Sequence, residues 1–136
     1  MSDFRHVTDD FSTSPQIAIA DVAEAARRGF KTLINNRPDG EAPDQPPSQA
    51  FAEAAKAAGL AYFHIPVRGG PGPAEVEQMR AAVQDSAGPV LAFCRSGTRS
   101  IVTWSIGQAT SGAMSRGELT ALGRQAGYDL SGVLGG

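Results

Sequence analysis

The segment from Val90 to Ser100, which reads VLAFCRSGTRS, constrains the fold of this chain more than any other. It carries the only cysteine, Cys94, from an apolar run into a short loop of arginine, serine, glycine and threonine. An apolar run of this length that ends in a glycine-containing loop is typical of a buried strand. Gly97 lets the backbone after the strand curl around an anion without a clashing Cβ atom. The segment therefore predicts a strand, a tight loop and a helix in succession.

Cys94 is predicted to be a nucleophile because the loop after it can stabilise a thiolate. Only the thiolate attacks, and a free cysteine with a pKa of about 8.5 is mostly protonated at neutral pH. Arginines follow at positions +1 and +5, and the loop N–H groups and the helix dipole favour the same negative charge. The alternative is a buried cysteine that acts as a small hydrophobic residue. We expect catalytic roles for Cys94 and Arg99 and anion binding by Arg95, Ser96, Gly97 and Thr98.

Composition bounds the class of protein. The chain has 136 residues, of which 41% are hydrophobic and 19% charged, and this predicts one compact domain over residues 1–136. We find no apolar stretch long enough to span a bilayer and no secretory signal at the start, so we expect a cytoplasmic protein without membrane contact. A net charge of −2 gives no reason to expect a nucleic-acid partner. The two histidines and one cysteine lack ligand spacing, so we expect no metal and no other cofactor.

Short apolar runs alternate with amphipathic stretches along the chain, a pattern typical of an α/β fold. Gly29 and Gly59 each separate a stretch of helical pattern from a run of strand pattern. Ser48 is the expected cap of an alanine-rich helix. The predicted strands cover residues 31–36, 61–67 and 89–93, and the predicted helices cover residues 21–28, 48–58, 73–85, about 98–109 and about 115–126.

Arginine follows each of the three predicted strands. Arg37 comes after the first strand, Arg68 after the second, and Arg95 and Arg99 after the third. If the strands are parallel, these side chains emerge at one edge of the sheet, where ligands bind in open α/β folds. This predicts a small positive pocket around Cys94. The alternative for Arg37 and Arg68 is that both are solvated loop residues.

Three segments of the chain, residues 29–41, 64–67 and 94–100, together resemble the phosphatase-like domain of bacterial beta-lactamase hydrolase-like proteins. This resemblance runs over nearly the whole chain. It implies a three-layer α/β fold with a central, mostly parallel sheet of four or five strands flanked by helices, as in dual-specificity and tyrosine phosphatases. Periodicity alone leaves a rhodanese-like strand order open as well.

The same resemblance bears on activity and partners, because some members of that family are called sulfur transferases. In certain bacteria the domain is fused to a metallo-beta-lactamase-like persulfide dioxygenase. The resemblance therefore implies such an enzyme, or a thiol acceptor, as a partner. The present chain is too short to contain the dioxygenase itself.

Loop spacing favours sulfur chemistry over phosphoryl chemistry. Tyrosine-type phosphatases use His-Cys-x5-Arg, whereas here Phe93 precedes the cysteine and the arginine stands at +5. The spacing is similar to the Cys-Arg-x-Gly-x-Arg loop of rhodanese sulfurtransferases. A loop that is one residue shorter encloses a smaller cradle, which suits a terminal sulfur atom better than a phosphate tetrahedron. The matching serine of tyrosine phosphatases donates a hydrogen bond to the sulfur, so we assign Ser100 that catalytic role; alternatively it is a first-turn helix residue.

A phosphatase also needs an acid to protonate its leaving group, and residues 67–73 contain no carboxylate. Without a general acid, the rate falls by about 10²–10⁴. Glu75 and Glu77 are expected to be solvated acids of a helix. Asp39 and Glu41 have three open interpretations: an acid near the pocket, a partner that orients Arg37 or Arg99, or the turn Pro38-Asp39-Gly40.

The sequence thus supports three hypotheses. The leading one is a cysteine-dependent sulfurtransferase or persulfide carrier that works through a Cys94 persulfide on a small anionic donor. The second is a phosphatase that works through a phosphocysteine. The third is a binding module that holds an anion without catalysis. For His64 we favour a core or edge position over catalysis, and for Ile101 and Trp104 a core position.

Overall fold

One five-stranded sheet organises the chain, whose residues 2–134 are described by a computed structural model. Met1, Gly135 and Gly136, which complete the predicted domain, lie outside the described residues. The strand order is β1-β2-β5-β3-β4. The elements are β1 (Arg5–Thr8), β2 (Phe11–Ser14), α1 (Ala20–Arg27), β3 (Thr32–Asn35), α2 (Ser48–Ala58), β4 (Ala61–His64), α3 (Pro73–Gln84), β5 (Val90–Phe93), α4 (Thr98–Thr110) and α5 (Arg116–Ala126).

The sheet is mostly parallel, as the family resemblance implies. Strands β2, β5, β3 and β4 run in parallel pairs, and only β1 is antiparallel to its neighbour. Parallel strands place their carboxyl ends at one edge, so the loops after β2, β3, β4 and β5 gather there. The most central strand, β5, ends at Phe93, and Cys94 is the first residue beyond it.

Helices cover both faces of the sheet and make three layers. Leu91 and Phe93 of β5 point to the face covered by α1 and α2, where Phe51 packs at a ring-centroid distance of 5.0 Å from Phe93. Val90 and Ala92 point to the opposite face, covered by α3, α4 and α5. Alternation of this kind is the period-two geometry of a strand. Because both faces are buried, β5 is apolar at every position.

The hairpin of β1 and β2 was not predicted from the sequence. The segment Phe11–Ser14 is buried throughout, although three of its four residues are serine or threonine. Such a run does not show the apolar pattern of a buried strand. Two of its three hydroxyls have acceptors: Thr13 donates to the Gly97 carbonyl, 84 residues along the chain, at 2.9 Å, and Ser14 donates to the adjacent Pro15 carbonyl at 2.8 Å.

Two smaller predictions differ from the structure. Pro47, rather than Ser48, occupies the position before α2, because the carboxylate of Asp39 takes the N–H of Ser48 at 2.8 Å. The Ser48 hydroxyl is free to pair with the Tyr62 hydroxyl at 2.6 Å. Strand β4 ends at His64 rather than Val67, since the intervening proline has no N–H for the sheet.

Ile101 and Trp104 are buried in the core, as expected from their spacing on α4. No helix in residues 2–134 is both long and apolar enough to cross a membrane.

We expect Phe11→Ala to lower the free energy of unfolding by about 3–5 kcal/mol. Phe11 is fully buried and stacks on Trp104 with ring centroids 4.8 Å apart, so its loss leaves a cavity between β2 and α4. Chemical denaturation measures the difference. Ile19→Ala is the control, because Ile19 is 37% exposed and its truncation should change stability by less than about 0.5 kcal/mol. Equal effects of the two variants would contradict this account of the core.

Candidate active site at Cys94

Cys94 lies at the carboxyl end of β5, beneath a loop that turns back over its sulfur. The residue is fully buried, and its own N–H donates to the Ser14 carbonyl at 3.4 Å. The N–H of Gly97 donates to Sγ of Cys94 at 3.2 Å. Gly97 has φ of +89°, a left-handed conformation that favours glycine. Helix α4 begins at the next residue, so the loop and the helix N-terminus face the same sulfur.

Several N–H groups of this loop and of the first turn of α4 have no acceptor among the described residues. Within residues 2–134, the backbone N–H groups of Arg95, Ser96, Arg99 and Ser100 make no hydrogen bond. Unpaired donors at the start of a helix form an anion-binding site, and the helix dipole adds to it. The loop can therefore stabilise a thiolate or bind an oxyanion.

Arg99 is held by Glu41 across the loop. Its two terminal nitrogens each donate to a different carboxylate oxygen of Glu41 at 2.8 Å, and Nη1 also donates to the Val67 carbonyl at 2.8 Å. Hydrogen bonding to Glu41 raises the pKa of Arg99 above its ordinary value, while burial opposes the shift and the charge of Cys94 adds to it. The guanidinium thus stays charged where Glu41 and the Val67 carbonyl hold it.

Glu41 also binds a second arginine. Arg37 donates through Nε to Glu41 at 2.9 Å and through Nη1 to the Gln16 side chain at 3.0 Å, and its side chain is only 7% exposed. The bonds from Arg99 first, and then from Arg37, lower the pKa of Glu41 from 4.5 to about 2. Glu41 is therefore ionised at neutral pH and has no proton to donate.

The other carboxylates considered as acids are also engaged. Asp39 accepts the Ser48 N–H at 2.8 Å, at the start of α2. Glu75 accepts the Gly72 N–H at 2.8 Å, at the start of α3, and Glu77 pairs with Arg80. The structure thus gives Asp39 a capping contact in place of the expected contact with the anion site, because the proline-rich loop folds it toward α2.

The remaining residues that were predicted to bind an anion differ in how close they lie to the site. Arg95 is exposed and lines a cavity of about 410 Å³ together with Gln16, Arg37 and Glu41. Arg68 is also exposed, and within residues 2–134 it makes no hydrogen bond or ion pair; the structure does not join it to the site. Ser96 and Thr98 are exposed on the loop and bond to each other through their hydroxyls at 2.9 Å.

Ser100 is placed differently from the expectation. Its hydroxyl is buried and has no hydrogen-bond partner among the described residues, so it does not donate to Sγ. The sulfur takes the Gly97 N–H instead. His64 lies on the edge strand β4, where its Nε2 is 2.9 Å from the Arg37 carbonyl oxygen.

Sequence reasoning missed the residues that hold the loop from outside. Gln16 donates its N–H to the Arg95 carbonyl at 3.1 Å, Thr13 bonds the Gly97 carbonyl, and the Tyr128 hydroxyl donates to the Ser96 carbonyl at 2.8 Å. Thr13 and Gln16 belong to the unpredicted strand β2 and the loop after it. Tyr128 follows α5, in a part of the sequence that gave no functional signal. No group of three or more potential metal ligands occurs in the described part of the chain.

The fold and the site together define a phosphatase-like α/β protein with a cysteine and arginine loop at the carboxyl edge of its sheet. The chain belongs to the family described as beta-lactamase hydrolase-like protein, phosphatase-like domain, whose model matches residues 3–111. A putative phosphatase from Neisseria meningitidis Z2491 superposes with a TM-score of 0.84 at 32% identity, covering 97% of this chain and 94% of that one. The expected three-layer fold of the phosphatase type is confirmed.

Curated relatives with the same description are considerably longer. The protein of Xylella fastidiosa (strain Temecula1) is 42% identical over 106 residues, which are 77% of this chain and 25% of the relative. The protein of Agrobacterium fabrum (strain C58) is 35% identical over 125 residues, which are 91% of this chain and 29% of the relative. This chain thus spans less than a third of the length of either relative.

The two variants Asp39→Asn and Asp39→Ala separate a capping role from an acid role. We expect Asp39→Asn to keep both stability and Cys94-dependent turnover, because asparagine caps a helix as well as aspartate does. Asp39→Ala should lower the free energy of unfolding by about 1 kcal/mol. Chemical denaturation measures the stability of each variant, and steady-state rates measure its Cys94-dependent turnover. A stable Asp39→Asn variant that loses turnover would restore Asp39 as the acid.

We expect Glu41→Gln to lower the free energy of unfolding by about 1–2 kcal/mol at pH 7, less than the full pKa shift implies, because Glu41 is partly exposed and water screens its ion pairs. The pKa of Glu41 in the folded protein, about 2, lies below its ordinary value of 4.5. The stabilisation is therefore complete above pH 4.5 and is lost as the pH falls toward 2. Denaturation at a series of pH values should show the difference between the variant and the wild type shrinking over that range. Glu53→Gln, at an exposed site, is the control; a Glu41→Gln penalty that is constant with pH would contradict the ion-pair account.

Proposed function

We propose that this protein is a cysteine-dependent sulfurtransferase or persulfide carrier, with Cys94 as the sulfur-carrying residue. The observation that carries this proposal is the binding of Glu41 by Arg99 and Arg37, which keeps the carboxylate ionised and without a proton to donate. With Asp39, Glu75 and Glu77 engaged elsewhere, each carboxylate that the sequence offered as a proton donor is in use.

The engagement of these four carboxylates matters differently for the two chemistries. A phosphate monoester releases an alkoxide or phenoxide, which leaves readily only when an acid protonates it. A sulfane sulfur donor such as thiosulfate releases sulfite, a stable anion that needs no proton to depart. The charge state around the loop therefore supports sulfur transfer.

In the proposed reaction, the Cys94 thiolate attacks the outer sulfur of thiosulfate. A new sulfur–sulfur bond forms on Cys94, and the sulfur–sulfur bond of thiosulfate breaks with its electron pair leaving on sulfite. The product is a Cys94 persulfide anion. An acceptor thiolate or cyanide then attacks the terminal sulfur and releases the Cys94 thiolate, so the two steps balance without an added oxidant.

The loop residues have defined roles in this scheme. The free N–H groups of Ser96, Arg99 and Ser100 and the guanidinium of Arg99 stabilise the negative charge on the sulfur. Arg95, exposed beside the cavity of about 410 Å³, attracts the anionic donor. An acceptor thiol, or a persulfide dioxygenase that consumes the product, is the partner we propose.

A phosphatase that works through a Cys94 phosphocysteine is the second candidate. It is favoured by the likeness to the Neisseria meningitidis protein, a putative phosphatase that is 32% identical. In this reaction Asp44 is the acid, because it is exposed and lines the same cavity as Arg95. Asp44→Asn should then slow the hydrolysis of alkyl phosphates and spare that of p-nitrophenyl phosphate, whose leaving group needs little help from an acid.

Intact-protein mass spectrometry after incubation with thiosulfate tests the leading proposal, with Cys94→Ser as the control. We expect the wild-type protein to gain one sulfur atom, the Cys94→Ser variant to gain none, and cyanide to remove the added sulfur. Hydrolysis of phosphate esters is assayed on the same samples.

Each result has a distinct meaning. The absence of sulfur gain together with Cys94-dependent ester hydrolysis overturns the sulfurtransferase and establishes the phosphatase. Absence of both, with thiosulfate or phosphate still bound by the Cys94→Ser variant, leaves an anion-binding module.

A further inference from the structure

Three successive carbonyls of the loop after Cys94 each accept a hydrogen bond from outside the loop. The Arg95 carbonyl accepts the N–H of Gln16 at 3.1 Å. The Ser96 carbonyl accepts the hydroxyl of Tyr128 at 2.8 Å, and the Gly97 carbonyl accepts the hydroxyl of Thr13 at 2.9 Å. One backbone N–H and two side-chain hydroxyls, all from residues far from the loop in sequence, thus fix the loop.

Peptide geometry connects these outer bonds to the sulfur. In a planar trans peptide, the carbonyl and the following N–H point in opposite directions. The Ser96 carbonyl and the Gly97 N–H belong to one peptide unit, so the Tyr128 hydroxyl and the Cys94 sulfur bind its two opposite edges. The 3.2 Å bond from the Gly97 N–H to Sγ depends on the orientation that the Tyr128 bond fixes.

We propose that Tyr128 is a positioning residue for the nucleophile, and that Thr13 supports it at the next peptide unit. Tyr128 holds the Ser96–Gly97 peptide with its N–H on the sulfur, and this orientation stabilises the thiolate and the bound anion. Thr13 holds the Gly97 carbonyl, which also accepts the N–H of Ile101 at 3.1 Å. The inference rests on Cys94 being the nucleophile in the proposed function, and it applies equally to sulfur and phosphoryl transfer.

The surroundings of Tyr128 suit a fixed hydroxyl donor. The guanidinium of Arg5 lies 5.1 Å from the centre of its ring. Burial raises the pKa of Tyr128 above its ordinary value, with the charge of Arg5 opposing the shift, so the hydroxyl keeps its proton at neutral pH. A Cβ atom on Gly97 would collide with this hydroxyl and lie only 3.1 Å from the Ser14 carbonyl carbon. A side chain at position 97 would therefore displace the Tyr128 hydroxyl from the loop.

Tyr128→Phe tests the proposal, because it removes the hydroxyl and keeps the ring. Tyr62→Phe is the matched control: the Tyr62 hydroxyl is also hydrogen-bonded and partly buried, but its partners are Ser48 and Asn35, away from the loop. For each variant we measure the pH dependence of Cys94 alkylation by iodoacetamide and the protection of Cys94 by inorganic sulfate or phosphate, neither of which has a sulfane sulfur to transfer. Thermal unfolding reports the general loss of stability.

We expect Tyr128→Phe to move the midpoint of the alkylation profile up by about half a pH unit or more and to weaken anion protection about threefold to tenfold. Tyr62→Phe should lower stability and leave both properties unchanged. Arg99 and Tyr128 both have pKa values raised above their ordinary values, so neither group changes its charge over the neutral pH range of the alkylation assay.

Thr13→Val and Thr13→Ser form a second pair, in which serine keeps the hydroxyl and should restore the wild-type profile. An alkylation profile of Tyr128→Phe that superposes on the wild type, or an equal shift in Tyr62→Phe, overturns the positioning role. Wild-type protein that gains no protection from either anion contradicts the proposed function itself.

Discussion

Glu41 lies between two arginines that follow different strands, and the geometry of the site depends on this three-residue contact. Arg37 comes from the loop after β3 and Arg99 from the start of α4 after β5, and Glu41 binds both. Arg99 in turn reaches the Val67 carbonyl after β4. Without the carboxylate, two partly buried guanidinium groups would lose the counter-charge that they share. Uncompensated charges in such a place destabilise the fold.

This contact also determines which hydrogen-bond donors remain available to a bound anion. Both terminal nitrogens of Arg99 are committed to Glu41, so the loop does not offer a free guanidinium fork to a phosphate. The donors that remain open are mostly backbone N–H groups. Such an arrangement stabilises one negative atom close to the loop more effectively than it clamps the three oxygens of a phosphoryl group.

The sequence predicted the helices and central strands well because those elements depend on local periodicity. The helix over 48–58 and the strand ending at Phe93 have the expected bounds, since apolar spacing and flanking glycines determine them. It could not distinguish Asp39 from Glu41, which stand two residues apart in one irregular loop. That loop is shaped by Gln45, whose side chain bonds the Pro38 carbonyl and the Glu41 N–H at 2.9 and 3.1 Å. Strand β2 was missed because three of its four buried residues carry hydroxyls, and the acceptor of the Thr13 hydroxyl lies 84 residues away along the chain.

The bond from Tyr128 to the Ser96 carbonyl spans 32 residues and crosses two helices. Tyr128 lies beyond residue 111, where the match to the family model ends, so a fragment cut at that boundary would keep the cysteine, both arginines and Glu41 but lose the hydroxyl that orients their loop. The same order holds on the ribosome, where residue 128 emerges after the whole loop. With the proposed role of Tyr128, the loop around Cys94 reaches its final geometry only after α5 has docked beside β1 and the segment beyond α5 has been added to the fold.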